Sequence, residues 1–440
     1  MIARIEVHSF DPACFFHPLI HFEHTGCRDN VIKAKLRLAT FYLLLSAGCA
    51  KPQPTTPAAA PRASGASVPG MGACRLPTGA DPQAALALYE KWKADLVTSA
   101  GAGGFLRVRR PNSGTVFNST NSEGIAYGML LAVYANDQPT FDALWQYEQL
   151  HLGANGLMEW EIGPDGSTIG EGAATDGDED MAFALVMADA RWGGRGSLPK
   201  SYRDYALQQI DLIWRFEVDH ERGDLLMPGD RFDGAKVLNI SYFAPAFYRV
   251  FGSVTQREAD WQRVIDSSYR VLAATLNEPN RNVDTGLVPA WSTPEGVPQA
   301  PPDTGHPIHH QLDSCRTPFR IAQDYCWFDE PRALRYLQTI SGFHARVGVK
   351  HLLDGYELDG TPHASAKLHL AAFVAGAGAA AMAIDLLVQP RDEAYEELVA
   401  WDVLLGGSEY YNKSWSVLGA LMLTGQLTNL ARDHGLSAKQ

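Results

Sequence analysis

At 440 residues, 46% hydrophobic and 10% aromatic, the chain is long enough for one large domain or two modest ones with a sizeable core. A net charge of −13 and a pI near 5.5, without clustered Lys and Arg, argue against a nucleic-acid-binding surface and fit a neutral, cationic or small-molecule partner. The six cysteines, Cys14, Cys27, Cys49, Cys74, Cys315 and Cys326, form no CxxC pair and no even framework, so neither a disulfide scaffold nor a zinc site is expected, and Cys315 and Cys326 read as buried thiols.

Residues 1–30 carry no helical or strand period and read as an N-terminal extension outside the fold. Lys33, Lys35 and Arg37, the apolar run Leu38 to Leu45, and Ser46-Ala47-Gly48 before Cys49 then follow the order of a bacterial signal peptide. Residues 31–49 are therefore expected to be a leader, with the natural start near Val31. Cys49 stands where a lipid-modified cysteine would, although the usual Leu three positions before it is displaced by one, and lipid attachment and simple secretion are both open. The apolar run is too short for a spanning helix, which needs about 20 residues. Residues 50–73 are Pro-, Ala- and Ser-rich, a tether that buries no core. The folded domain is expected over 74–432, as a monomer.

From there apolar helical periods alternate with loops marked by Gly, Asp, Asn and Pro. Helices are predicted at about 82–98, 123–136, 139–150, 179–191, 201–216, 241–251, 257–276, 315–325, 331–344, 366–388, 393–404 and 413–424. Asn155-Gly156-Leu157-Met158, Gly223-Asp224-Leu225-Leu226, Thr285-Gly286-Leu287-Val288 and Asp354-Gly355-Tyr356-Glu357 recur after helices, which signals a repeated helical hairpin. Twelve helices make six hairpins. An all-α, closed (α/α)6 toroid is favoured over an open solenoid by the large loops at one end.

Ala174-Thr175-Asp176-Gly177-Asp178-Glu179-Asp180 runs into the apolar Met181 to Ala188, an acidic run without a solvated context. As a calcium loop it fails, with Met181 where Gly is needed and Met187 where Glu is needed. Helix capping accounts for one or two of the acids. In a second segment, Thr120-Asn121-Ser122-Glu123 reads as a capping box, and Gly124 and Gly128 follow where something large approaches the helix. In a third, Asp313 precedes a helix with Arg316 three residues on. Each segment brings a carboxylate to the N-terminal mouth of a helix, and a closed toroid gathers such mouths at one end.

The segments SEGIAYGMLLAV from Ser122, ATDGDEDMAFAL from Ala174, SYFAPAFYRVF from Ser241, TGLVPAW from Thr285, DSCRTPFRIAQDYCW from Asp313 and YYNKSWSVLGALMLTG from Tyr410 together resemble glycoside hydrolase family 8 over roughly residues 80 to 430. The resemblance implies a six-hairpin toroid and inverting hydrolysis of a β-1,4-linked polysaccharide, cellulose or mixed-linkage glucan first, without metal or cofactor. It implies Glu123 as general acid, Asp313 as general base and Asp176 as the carboxylate holding the distorted sugar. A neutral Glu123 at pH 6–7 then requires burial and the field of Asp176 and Asp178 to raise it. Arg316 is expected to steady Asp313, Asn239 and Tyr242 to reach the same water or sugar, Trp160 to stack on a glucose ring, and Asp178, Tyr410 and Tyr411 to contact substrate. Leu312 stands where the family commonly has an aromatic residue. In the loop from Pro298 to His310, the cluster His306-Pro307-Ile308-His309-His310 reads as surface rather than as a metal site. Xylanase, oligoxylan-releasing exo-enzyme, chitosanase and an inactive sugar-binding lipoprotein are the alternatives.

Overall fold

The computed structural model describes residues 70–302, 304–400 and 408–433. The extension at 1–30, the leader at 31–49 with Cys49, and most of the tether at 50–73 lie outside the described residues. Thirteen α-helices occur among the described residues: α1 Pro82–Leu96, α2 Ser122–Tyr134, α3 Gln138–Glu148, α4 Thr175–Trp192, α5 Tyr202–Phe216, α6 Pro245–Thr255, α7 Glu258–Thr275, α8 Arg316–Phe328, α9 Pro331–Val347, α10 Ala371–Met382, α11 Val388–Val399, α12 Glu409–Leu423 and the single turn α13 Leu430–Asp433.

Helices buried on all sides form the inner wall, and helices with one apolar stripe surround them. All twelve residues of α10, AAFVAGAGAAAM, are buried, whereas α7 buries Trp261, Val264, Ile265, Ser268 and Leu272 at helical spacing and leaves its other face polar. The even-numbered helices make a closed ring, in which α2 packs on α4, α4 on α6, α6 on α8, α8 on α10, α10 on α12 and α12 on α2. Outside it, α3, α5, α7, α9 and α11 each pack on the preceding inner helix, and α1 packs on α12. The sixth hairpin is thus assembled from the two ends of the domain, and the architecture is the (α/α)6 toroid expected from the sequence. Small residues let the inner helices touch. A Cβ on Gly376 would lie 2.5 Å from the Cys315 carbonyl oxygen, and one on Gly177 would lie 2.9 Å from the Ser122 carbonyl carbon.

Connections from inner to outer helices are short, at 135–137, 193–201, 256–257, 329–330 and 383–387. Those from outer to inner helices are long, at 97–121, 149–174, 217–244, 276–315 and 348–370. The echoing Gly-containing segments all fall in these long loops, which gather at the N-terminal ends of the inner helices. Short antiparallel ladders brace them: 97–98 with 107–108, 120–121 with 161–162 and 168–170, 218–219 with 225–226, and 238–239 with 291–292.

Several boundaries differ from expectation for local reasons. The acidic run belongs to the first turns of α4, which starts at Thr175. Pro245 opens α6 at its first position, after a 3-10 turn at Ile240–Tyr242. Pro390 lacks an N–H and is tolerated only in a first turn, so α11 starts at Val388 and α10 has ended at Met382. The cap of α2 is Asn121, whose Oδ1 accepts from the Gly124 N–H at 3.0 Å, instead of Thr120.

One cysteine assignment is overturned. Cys326 is bonded to Cys74, 252 residues earlier, while Cys315 is a free buried thiol. Spacing on α8 compares Cys326 only with Cys315, but its partner lies on the segment before α1. That segment is part of the fold: Met71 is wholly buried, the Cys74 N–H donates to its carbonyl at 3.0 Å, and the Arg75 N–H donates to the Met382 carbonyl at 2.9 Å. The domain therefore begins a few residues before 74, and the disulfide lies at the end of the ring opposite the long loops.

Candidate active site

The long-loop face is where inner helices present their first turns, and those of α4, α6, α8, α10 and α12 have no side-chain cap. Their first-turn N–H groups and positive dipole ends face the loops, which supply some of the missing acceptors, as Asn112 does for the Glu409 N–H of α12. Carboxylates from three of the six inner helices converge there. Glu123 is the second residue of α2 and Asp176 the second of α4, while Asp313 lies just ahead of α8. Gly177 makes the first two adjacent, because α4 rests its first turn against Ser122.

Arg316, the first residue of α8, joins all three. Its Nη1 donates to Glu123 Oε2 and to Asp176 Oδ2, both at 2.6 Å, and its Nη2 donates to Asp313 Oδ1 at 3.4 Å. The guanidinium is almost fully buried and lies over the Tyr242 ring, 5.1 Å from its centroid. Its Nε donates to Ser241 Oγ at 3.1 Å, and the Ser241 hydroxyl donates to Asn239 Oδ1 at 2.7 Å. Asn239 therefore reaches the cluster through Ser241, with its own Nδ2 buried and unpartnered. Arg316 steadies Asp313 least of the three carboxylates. Gln311 helps, its Nε2 donating to Asp313 Oδ2 at 3.1 Å.

The three carboxylates differ in exposure. The side chains of Asp313, Glu123 and Asp176 are 34%, 14% and 7% exposed, so Asp313 is the one best hydrated as an anion. Burial pushes Asp176 up to about 7; Arg316 opposes this, and the charge of Glu123 adds to it. Tyr410 donates its hydroxyl to Glu123 Oε1 and accepts from Asn121 Nδ2. Burial and the charge of Glu123 hold this phenol well above its ordinary range, so it remains a donor. The Tyr411 hydroxyl donates to the Leu312 carbonyl at 2.7 Å and fixes the residue before Asp313. Trp160 is 37% exposed, with its indole laid against Gly170, and its carbonyl accepts from the Ser122 N–H at 3.0 Å, which joins its backbone to the start of α2.

Asp178 is a correction. It is fully buried, and its Oδ1 accepts from Gln209 Nε2 of α5 at 3.0 Å. Two residues along a helix rotate a side chain by about 200°, so Asp176 and Asp178 face opposite ways. Asp178 contacts no cleft; it packs toward Glu217 and Glu148, whose charges push it up after burial itself. Asp180, four residues from Asp176, shares its face and accepts from Arg320 Nη2 at 2.6 Å. The i, i+4 pairing of Asp176 and Asp180 with Arg316 and Arg320 was present in the sequence as a signal for this ladder. What presses on α2 at Gly124 and Gly128 is protein, namely Tyr410, Val108, Leu144 and Trp92. The histidines of the 298–310 loop do not converge. His306 stacks on Trp291, His309 on His363, and His310 binds the Val288 carbonyl.

A cavity of about 530 Å³ at the opposite end is lined by Arg249, Trp327, Phe328, Asp329 and Arg432 among others. Its lining holds no carboxylate pair.

A sequence profile of the glycosyl hydrolases family 8 matches residues 76–425. Endoglucanase A of Acetivibrio thermocellus is 38% identical over 353 residues, covering 78% of this chain and 70% of that one. The reducing-end xylose-releasing exo-oligoxylanase Rex8A of Paenibacillus barcinonensis is 27% identical over 322 residues, covering 70% and 82%. Among solved structures, a beta-1,3-1,4-glucanase from Paenibacillus sp. X4 superposes with a TM-score of 0.72 at 26% identity, covering 80% of this chain and 95% of that one.

Proposed function

Since this chain belongs to the glycosyl hydrolases of family 8 and is a glycoside hydrolase, we propose that it is an endo-β-1,4-glucanase acting on cellulose or mixed-linkage β-glucan by single displacement with inversion. The observation that carries the reading is the Arg316 guanidinium with Glu123 and Asp176 on one nitrogen and Asp313 on the other. Carboxylates on the two arms of one guanidinium are no more than about 8 Å apart, within reach of one glycosidic bond, and the anomer of the first product separates inversion from retention. Glu123 protonates the leaving oxygen, Asp313 takes a proton from the attacking water, and Asp176 holds the sugar at the cleavage point. Trp160 stacks on a neighbouring unit. The endoglucanase likeness is stronger than the exo-oligoxylanase likeness, which favours internal cleavage of a glucan.

The test is reducing-sugar release from carboxymethylcellulose, lichenan, xylan and chitosan, with proton NMR of the first product. Release from the first two with an α-anomer is expected. A preference for xylan or chitosan, or a β-anomer, contradicts the reading. No release from any of the four points to a sugar-binding protein without activity. Export follows as a second proposal, supported by the leader pattern at 31–49 and by a disulfide suited to an oxidising compartment. The mass of the mature N-terminus distinguishes lipid on Cys49 from simple cleavage.

A further inference from the structure

The long loop ahead of α2 carries a feature that the reaction does not use. Residues 110–119 form a hairpin, with the Asn118 N–H donating to the Arg110 carbonyl and the Arg110 N–H to the Ser119 carbonyl, each at 2.8 Å. Wholly buried Glu161 anchors it, accepting from Arg110 Nη1 at 2.8 Å, Thr115 N–H at 3.0 Å, Thr115 Oγ1 at 2.7 Å and Ser119 Oγ at 3.0 Å. Its other flank is tied to the start of α12, where Ser408 Oγ donates to Ser113 Oγ at 2.8 Å and the Glu409 N–H donates to Asn112 Oδ1 at 3.0 Å. The Arg110 guanidinium lies over the ring of Tyr410, the residue that donates to Glu123. The hairpin therefore bridges the first turns of α2 and α12, at the mouth where Glu123 and Tyr410 meet.

At its tip Phe117 is 64% exposed and Val116 42% exposed. Asn118, in the left-handed region at φ 63°, turns the chain directly after Phe117. A single exposed apolar residue is ordinary. This one stands on a rim held by Glu161, and the residue before Glu161 is the part-exposed Trp160, whose carbonyl accepts from the Ser122 N–H at the start of α2. One buried carboxylate thus holds the Phe117 hairpin onto the strand that follows Trp160, and Phe117 itself lies on the segment leading into the helix that bears Glu123. A rigid aromatic with few torsions gives contact area at little entropic cost.

We propose that Phe117 is a stacking platform for a glucosyl unit of the bound chain beyond the units at the cleavage point, on the side of Glu123 occupied by Tyr410. The inference rests on the β-glucan reading above and adds a binding subsite to it. Phe117→Ala is expected to raise KM for cellohexaose about tenfold, the scale expected for removing one stacked ring, while changing kcat/KM for the shortest cleaved oligosaccharide less than twofold. Phe117→Trp retains the long-chain KM. Equal losses at every chain length indicate a structural role, and an unchanged long-chain KM indicates none; either overturns the proposal. Should the unaltered enzyme cleave no glucan, the function itself fails, and affinity electrophoresis through lichenan and xylan gels then reads Phe117 alone. Retardation of the natural chain but not of Phe117→Ala supports the platform, and equal migration overturns it.

Discussion

Arg316 carries one positive charge for three carboxylates, so the fully ionised cluster with Glu123, Asp176 and Asp313 is left over-anionic, and a bound proton relieves part of the excess. Asp176, pushed up to about 7, holds that proton in the substrate-free enzyme at mildly acidic pH. Glu123 and Asp176 share one nitrogen of Arg316, so this is the proton available to Glu123 for the leaving oxygen; above about 7 it is lost, and kcat/KM, which reports free-enzyme groups, falls as pH rises through about 7. In Asp176→Asn that alkaline limb is expected to move away from 7 and the rate to drop about 10²-fold or more; a limb unmoved in the pH–rate profile contradicts the assignment. Much of this site was legible in the sequence, because Glu123, Asp176, Asp313 and Arg316 each lie within or next to a short motif at a helix start. The ranking of Arg316's partners was not legible. Asp313 is three residues away in sequence, yet Glu123, 193 residues away, is the shorter contact.

Two consecutive turns of α4 face two consecutive turns of α8, with Asp176 on Arg316 and Asp180 on Arg320. This ladder fixes the axial register of the inner helices and hence the site. On the other face of α4, Asp178, Glu217 and Glu148 gather in the interior, with Asp178 and Glu217 hydrogen-bonded to each other. Burial pushes Glu148 up to about 8, so it stays protonated in the fold while the unfolded chain ionises near 4.5. Between those values the native state binds more protons, and stability falls as pH rises, by up to about 1.4 kcal/mol per pH unit, the loss being complete above about 8. Glu148→Gln keeps an oxygen for the Gln149 amide and is expected to melt several degrees above the natural chain at pH 8 and together with it at pH 4. Parallel melting curves across that range rule out the linkage. Helix starts marked by Asp81, Asp137 and Ser201 caps were legible within one residue, since each accepts an N–H of its own first turn. The start of α4 was not, because Ala174 offers no cap.

The two ends of the domain complete the toroid, with α1 packed on α12 as the sixth hairpin and Cys74, ahead of α1, bonded to Cys326 on α8. Neither contact leaves a trace in local periodicity, which is why the toroid could be expected from repeats while its seam could not. A crosslink enclosing so long a loop removes unfolded-state entropy worth typically 2–4 kcal/mol. Reduction, or Cys74→Ser, is expected to lower the melting temperature by roughly 5 °C without changing the rate at 25 °C, because the bond lies at the end away from Glu123 and Asp313. Calorimetry and the glucan assay check both halves, and a matching loss of rate contradicts the separation of the two ends. The same bond also sets the mechanical path through the molecule. A pull on the chain ahead of residue 70 is transmitted at Cys74 into α8, the helix that carries Arg316, and bypasses α1, so tension is borne by the inner ring and the outer layer is spared from peeling.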